Sequence, residues 1–123
     1  MLTNEMATAF AAAWVAAFNS HDLDAIMEHY AEDIEFYSPF ITKLRINESG
    51  MLQSKEELRQ YFQHALTVYP DLYFMLHHVY TGVQTLVIQY TSVEGRQAAE
   101  TMQWNKEGKV SKVYCHYSVA PYS

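Results

Sequence analysis

Length, composition and charge already restrict the classes of protein to which this chain can belong. With 123 residues, 50% of them hydrophobic, it can form one domain (1–123) around one core, and its net charge of −6 argues against nucleic-acid and anionic-membrane partners. No apolar run approaches the ~20 residues that span a bilayer, and a single cysteine, Cys115, excludes an internal disulfide, so we expect a cytoplasmic protein.

The first predicted elements are two helices. Large apolar side chains recur every four residues from Leu2 to Phe18 and form one stripe along a first helix, which Asn19 and Ser20 end. Asp22 can cap a second helix. Its apolar residues lie at i, i+3, i+4 and i+7 and so share one face: Leu23, Ile26, Met27 and Tyr30.

A strand and a third helix follow. The hydrophobic period changes to two residues, which places Ile34, Phe36 and Ser38 on one face of a half-buried strand. The segment 54–57, Ser-Lys-Glu-Glu, is a capping box in which the serine and the last glutamate satisfy each other's free amides. The helix that it opens ends at Pro70.

The second half of the chain predicts an antiparallel meander. Four strands with glycine-containing turns are expected, at Leu72–Tyr80, Gln84–Val93, Gln97–Asn105 and Lys109–Val119. The first strand carries apolar residues on both faces, which indicates a sheet covered on both sides. Helices can cover one face only. We therefore expect a homodimer through the outer sheet face, with Tyr114 and His116 near it.

Three helices and a curved, mostly antiparallel sheet in the order α-α-β-α-β-β-β-β define an α+β cone. The segments NSHDLDAIMEHYAEDIEFYSP (19–39), YPDL (69–72) and NKEGKV (105–110) resemble the nuclear transport factor 2-like superfamily, especially its SnoaL-like and ketosteroid-isomerase-like branches. The resemblance covers nearly the whole chain. It implies the fold but no single function, because the superfamily holds isomerases, cyclases, dehydratases, hydrolases and non-catalytic members.

The resemblance also implies where a site would lie. Ketosteroid isomerases place a carboxylate base before a proline on the strand after the second helix, and here Ser38 holds that place before Pro39. The place of their tyrosine donor is held by Trp14, whose indole N–H can donate, and that of their second acidic residue by Glu100. The missing base argues against steroid isomerisation by that mechanism, whereas the resemblance still implies a pocket.

Glu100 also stands out without the resemblance. It shares its predicted strand face with Ala98, Met102 and Trp104, an apolar line in which a carboxylate is out of place. Burial would raise its pKa, so that Glu100 could donate a hydrogen bond or act as an acid or base at neutral pH. The alternative is a structural carboxylate held in the core by a tyrosine, histidine or arginine.

The histidines do not predict a metal site. His77 and His78 are adjacent on a strand, as are Cys115 and His116, so each pair points to opposite faces and cannot chelate one ion. We expect neither a metal nor a cofactor. One of His77 and His78 should face the interior, and His77 is a candidate general base; a histidine satisfied in the core or at a dimer face is the alternative.

The last predicted hairpin indicates which residues surround Glu100. If it pairs across Asn105–Gly108, Glu100 lies opposite Val113, and Cys115 and Tyr117 share its face. The predicted ligand-binding residues come from the helices, the first strand and this sheet face: Trp14, Phe18, Tyr30, Phe36, Phe62, Met102, Val113, Cys115 and Tyr117.

Two functions of different class are compatible with these features. The first is a small enzyme for a hydrophobic, oxygenated molecule, which performs acid/base isomerisation, cyclisation or related chemistry. Glu100 would be its acid/base, and Ser38, Trp14 or Tyr30 would orient the substrate. The second is a non-catalytic ligand-binding or dimerisation module. An open cavity that reaches Glu100 would favour the first, and a core closed by aromatic side chains the second.

Overall fold

The fold is the predicted α+β cone. The structure, a computed structural model, describes residues 2–119. Its elements in chain order are α1 (Asn4–Ser20), α2 (Leu23–Met27), β1 (Tyr30–Tyr37), α3 (Pro39–Lys43), β2 (Met51–Leu52), α4 (Lys55–Val68), β3 (Met75–Thr81), β4 (Thr85–Thr91), a 3-10 turn (Val93–Gly95), β5 (Gln97–Trp104) and β6 (Val110–Tyr117). None of the helices within these residues is long and apolar enough to cross a bilayer.

The strands of the described chain form one curved, open sheet in the order β2-β1-β6-β5-β4-β3. β1 and β6 are parallel, and every other neighbouring pair is antiparallel. Because side chains alternate along each strand, one face of the sheet carries the buried residues that pack together with the helices. The core lies between the two layers.

Helix α1 begins and ends at residues that cap it. Thr3 Oγ1 accepts from the Met6 N–H (3.1 Å), and His21, at φ 60°, donates its N–H to Phe18 O (3.0 Å). The prediction of a continuous apolar stripe is wrong at Met6, which is 44% exposed. Four residues advance about 40° beyond a full turn, so the stripe winds off the core face. Alanines are buried on that face instead: Ala7, Ala11 and Ala17.

One prediction in the first half needs correction, and one connection contains two short elements. Tyr30 does not belong to α2, which ends at Met27, but begins β1. The connection 41–53 contains the end of α3 and the edge strand β2, which pairs antiparallel with β1. Elements of five and two residues are too short to produce a readable period.

The prediction that one of His77 and His78 faces the interior is wrong. A β-bulge between Leu76 and His78 interrupts the alternation, and both histidines are exposed. His77 Nε2 lies 2.6 Å from Thr91 Oγ1 at the surface.

The predicted register of the last hairpin is also wrong, by two residues. The Asn105 N–H donates to Lys109 O at 2.8 Å, so the turn closes one residue later than the predicted pair Asn105–Gly108. A bulge next to Gln103 shifts the register by one further residue. Glu100 therefore lies opposite Cys115, and Met102 lies opposite Val113. A shift of two residues keeps every side chain on its predicted face.

Candidate functional site

An apolar pocket lies between the helices and the inner face of the sheet, and it reaches Glu100. Its free volume is about 50 Å³. Most of its wall is aromatic, and the lining residues are Phe18, Phe36, Phe40, Leu44, Tyr61, Phe62, Ala65, Tyr69, Leu72, Phe74, Tyr90, Ser92, Val93, Glu100 and Tyr117. Aromatic walls of this kind suit the hydrophobic body of a ligand.

Glu100 is the acidic group of this pocket. It lies on β5, 3% exposed, between the buried neighbours Ala98 and Met102, as the alternating pattern predicts. The Tyr90 hydroxyl, from β4, donates a hydrogen bond to Glu100 Oε2. Glu100 Oε1 is fully buried and has no hydrogen-bond partner within residues 2–119. One carboxyl oxygen is thus held by the protein, and the other is free to meet a ligand.

The surroundings of Glu100 change its protonation. Burial raises the pKa of Glu100 to about 7, although the hydrogen bond from Tyr90 and the neighbouring Cys115 thiol offset part of the effect. Both the neutral and the ionised forms are consequently accessible near neutral pH. The neutral form donates a proton or a hydrogen bond, and the ionised form accepts one.

Three tyrosines of the pocket remain neutral donors. Burial is the largest cause that raises the pKa of Tyr61, Tyr90 and Tyr117, and the nearby Glu100 charge raises each further. They can donate hydrogen bonds but do not titrate near neutral pH. The proton chemistry of the pocket therefore belongs to Glu100.

Some of the predicted site residues line the pocket and others do not. Those that line it are Glu100, Phe18, Phe36, Phe62 and Tyr117. Met102 and Val113 are fully buried in the core outside the lining. Cys115 is buried beside Glu100, and burial raises the pKa of its thiol, which makes it a poor nucleophile.

Trp14 and Tyr30 form a hydrogen-bonded pair outside the pocket lining. Trp14 Nε1 donates to the Tyr30 hydroxyl at 2.9 Å, and both side chains are 1% exposed. The indole N–H is therefore occupied within the core. Neither residue is placed to orient a ligand directly.

Ser38 has a structural partner of its own. Its side chain is buried and Oγ accepts from the Phe40 N–H at 3.2 Å, which caps α3. Ser38 lies outside the pocket lining, as does the exposed His77 on the outer side of β3. Neither residue lines the pocket with Glu100, although the Ser38 side chain lies close to Tyr61, Tyr117 and Cys115.

Sequence reasoning missed Tyr90, the residue in contact with Glu100. A usable signal was present, because Leu86, Ile88 and Tyr90 alternate as the inward line of β4, next to the inward line of Glu100 on β5. The pocket residues Phe40 and Leu44 were missed because they belong to α3 and its end, which the sequence did not reveal.

In the part of the chain that the structure describes, no three histidine, cysteine or acidic side chains lie close enough together to hold a metal ion. The buried polar groups of the pocket are a single carboxyl group, tyrosine hydroxyls and the hydroxyl of Ser92. This donor set suits hydrogen bonding to an uncharged, oxygenated ligand.

Comparison with known proteins places the fold in a family. A SnoaL-like protein of unknown function from Burkholderia thailandensis is 37% identical, with a TM-score of 0.91, over 95% of this chain and 98% of that chain. Among curated proteins, none matches the chain.

Two more distant structures share the fold only. The epoxide hydrolase/cyclase-like enzyme SalBIII, named for pyran ring formation in the polyether salinomycin, is 15% identical with a TM-score of 0.76 and coverages of 97% and 95%. A candidate ketosteroid isomerase from Kribbella flavida is 16% identical with a TM-score of 0.74 and coverages of 94% and 80%. The family model of the SnoaL-like domain matches residues 11–117, and the chain belongs to this family.

Proposed function

We propose that this protein is an acid/base enzyme for a hydrophobic, oxygenated small molecule, with isomerisation or ring closure as the reaction type. One observation carries the proposal: Glu100 is a buried carboxyl group with a raised pKa, and its Oε1 is unpartnered within residues 2–119 in an apolar pocket. Perturbed acids in clefts are candidates for proton transfer. The names of the SalBIII and Kribbella flavida neighbours supply the reaction types.

Glu100 performs the proton transfer in this proposal. Its neutral form donates to a carbonyl, hydroxyl or epoxide oxygen of the substrate, and the resulting carboxylate takes a proton back when the product forms. Tyr90 holds Oε2 and thereby directs Oε1 towards the substrate. The phenylalanines of the wall bind the apolar body of the molecule.

The mechanism uses a single carboxyl group. Ser38 stands where ketosteroid isomerases have their base, but its Oγ caps α3 and lies outside the pocket lining. A second base is therefore not part of the proposal. Glu100 must either move one proton from one atom of the substrate to another or act as an acid in ring closure.

A non-catalytic ligand-binding module is the second candidate. The small free volume of the pocket, about 50 Å³, favours it, because aromatic side chains already fill much of the interior. In this function Glu100 would only donate a hydrogen bond to a bound ligand.

Turnover assays separate the two functions. Purified protein is incubated with hydrophobic β,γ-unsaturated ketones and with hydroxy-epoxides, and products are followed by NMR. We expect conversion of at least one class, with a loss of at least about 100-fold in Glu100→Gln, since general acid/base groups contribute about 10²–10⁴-fold. Glu107→Gln, at the exposed turn between β5 and β6 and outside the pocket lining, is the matched control. Binding of these compounds without conversion would contradict the enzyme and assign the protein to the second candidate.

A further inference from the structure

The pocket around Glu100 is too small for a whole hydrophobic ligand. Its free volume is about 50 Å³. An engineered apolar cavity that binds benzene has a volume of about 150 Å³. The pocket thus has room for the oxygenated end of a molecule and a few attached carbons. The rest of such a molecule must lie elsewhere.

A larger groove adjoins the pocket on its outer side. Its free volume is about 370 Å³. Four residues line both cavities and form their common wall: Tyr69, Leu72, Ser92 and Val93. Beyond them the groove extends along the exposed side chains of Val68 and Tyr73, which are 42% and 65% exposed.

We propose that this groove is the outer half of the ligand site and holds the extended apolar part of a molecule whose oxygen reaches Glu100. The inference rests on the proposed function and specifies its substrate class as elongated and uncharged, with an oxygen atom at or near one end. A compact molecule would not use both cavities. An elongated one would pass the common wall and remove apolar surface from water along the groove.

The charges around the groove agree with an uncharged occupant. Glu94 is neutralised by Lys43, whose Nζ lies 2.6 Å from Glu94 Oε1, and by Arg96, at 3.5 Å. Asp71 also lines the groove and would repel an anionic tail. Burying a cationic tail against this apolar wall would require its desolvation.

Tyr69 belongs to the common wall of the two cavities and contacts residues of two other elements. Its hydroxyl donates to Glu94 Oε2 at 3.3 Å, and its ring meets the Phe40 ring edge to face at 6.2 Å between centroids. Tyr69 therefore links the end of α4 to α3 and to the 3-10 turn across the mouth of the pocket. An elongated ligand must pass beside this ring.

A series of linear ketones from 2-butanone to 2-decanone tests the proposal. The dissociation constant of each ketone is measured by NMR titration with the wild-type chain, with Glu100→Leu and with the double variant Val68→Ser/Tyr73→Ser. Leucine removes the hydrogen-bond donor at position 100 and fits the apolar face of β5. Val83→Ser is the control, since Val83 is 92% exposed in the turn between β3 and β4 and lies outside the groove lining. All the altered groove and control positions are solvent-exposed, so folding should be retained.

We expect affinity in the wild-type chain to rise about fourfold for each added methylene that enters the groove. In Val68→Ser/Tyr73→Ser this increment should fall below about twofold for the longer ketones, while 2-butanone binding stays the same. The Val83→Ser variant should match the wild type.

Two results would contradict, respectively, the outer half of the ligand site and the proposed function. If affinity stops rising after 2-butanone, or rises equally in the groove variant, the outer half of the site is refuted. If ketone affinity still depends on the residue at position 100 in that case, the proposed function stands without the outer half of the site. If the ketones bind equally well to Glu100→Leu, or do not bind at all, the proposed function fails together with the inference.

Discussion

At the scale of single residues, the protonation of Glu100 is coupled to folding. The pKa of its carboxyl is raised from 4.5 to about 7 by burial, so between these pH values the folded chain holds a proton that the unfolded chain releases. Stability from this group is greatest below pH 4.5 and declines as the pH rises towards 7. It is constant above that value.

We predict that this loss is absent in Glu100→Gln, because an amide does not titrate. Urea unfolding at several pH values should show the wild type losing on the order of 3 kcal/mol relative to the variant between pH 4.5 and 7. The titratable groups that both chains share contribute equally to the two free energies of unfolding, so their effect cancels when one is subtracted from the other. Parallel pH profiles for the two chains would show that Glu100 titrates normally.

Trp14 provides a second prediction at this scale. It is 1% exposed, donates to Tyr30 and stacks against Phe74 at 5.6 Å between ring centroids, outside the pocket lining. Trp14→Ala should therefore lower the free energy of unfolding by the ~3–5 kcal/mol typical of a fully packed aromatic residue. Denaturant unfolding measures this loss. A much smaller loss combined with altered ketone affinity would instead assign Trp14 to a ligand cavity.

At the scale of elements, α3 is a short helix that depends on its cap. Ser38 Oγ accepts from the Phe40 N–H and Pro39 occupies the first turn, and the helix then presents Phe40 to the pocket. The Ser38 hydroxyl therefore caps the start of the helix whose Phe40 lines the pocket.

We predict that Ser38→Ala lowers stability by about 1 kcal/mol, the usual effect of losing a cap, and leaves the pH dependence of turnover or binding unchanged. Ser54→Ala is the matched control, because Ser54 Oγ caps α4 in the same way, accepting from the Glu57 N–H at 3.1 Å. Thermal melts and pH profiles of both variants check this. A pH profile altered only in Ser38→Ala would point to a part in proton transfer.

The sequence predicted β5 correctly but not the bulge in β3 or the short helix α3. Periodicity identified the buried face of β5 and the isolated acid on it, because a hydrophobic alternation survives a register error of two residues. It failed at the bulge that exposes His77 and at the five-residue α3. Bulges and very short helices depend on tertiary contacts, which leave little periodic signal in the chain.

The boundary of the pocket was less predictable than the fold. Trp14 and Phe18 occupy the same helix and the same apolar pattern, yet only Phe18 lines the pocket. The distinction depends on how the rings of several elements pack together. Tyr90 was missed for the same reason, because its role depends on the hydrogen bond that it donates to Glu100 on the next strand.

At the scale of the whole molecule, the outer face of the sheet supports the expectation of a homodimer. Apolar side chains on this face are exposed, with Met75 at 56%, Tyr80 at 55% and Tyr114 at 41%. The Tyr114 ring stacks on that of Tyr37 at 4.7 Å between centroids. Exposed apolar surface of this kind is a common basis for association between two copies of a chain.

We predict a dimer that involves this face and is weakened by Tyr114→Glu, since burying an unpaired charge in an apolar interface is unfavourable. Sedimentation equilibrium at micromolar concentration should give twice the 14.3 kDa chain mass for the wild type and a shift towards the monomer for the variant. Val83→Glu, in a turn away from this face, controls for the added charge. A wild-type chain that sediments only as a monomer would refute the dimer.

The proposed function requires that Glu100, the carboxylic acid of the pocket, titrates near neutral pH. Its most direct test is a ¹³C NMR titration of the side-chain carboxyl carbons in protein labelled at glutamate, with Glu100→Gln used to identify the Glu100 signal. We expect an apparent pKa of about 7 for this signal. A signal that titrates at the ordinary value of 4.5 would contradict it.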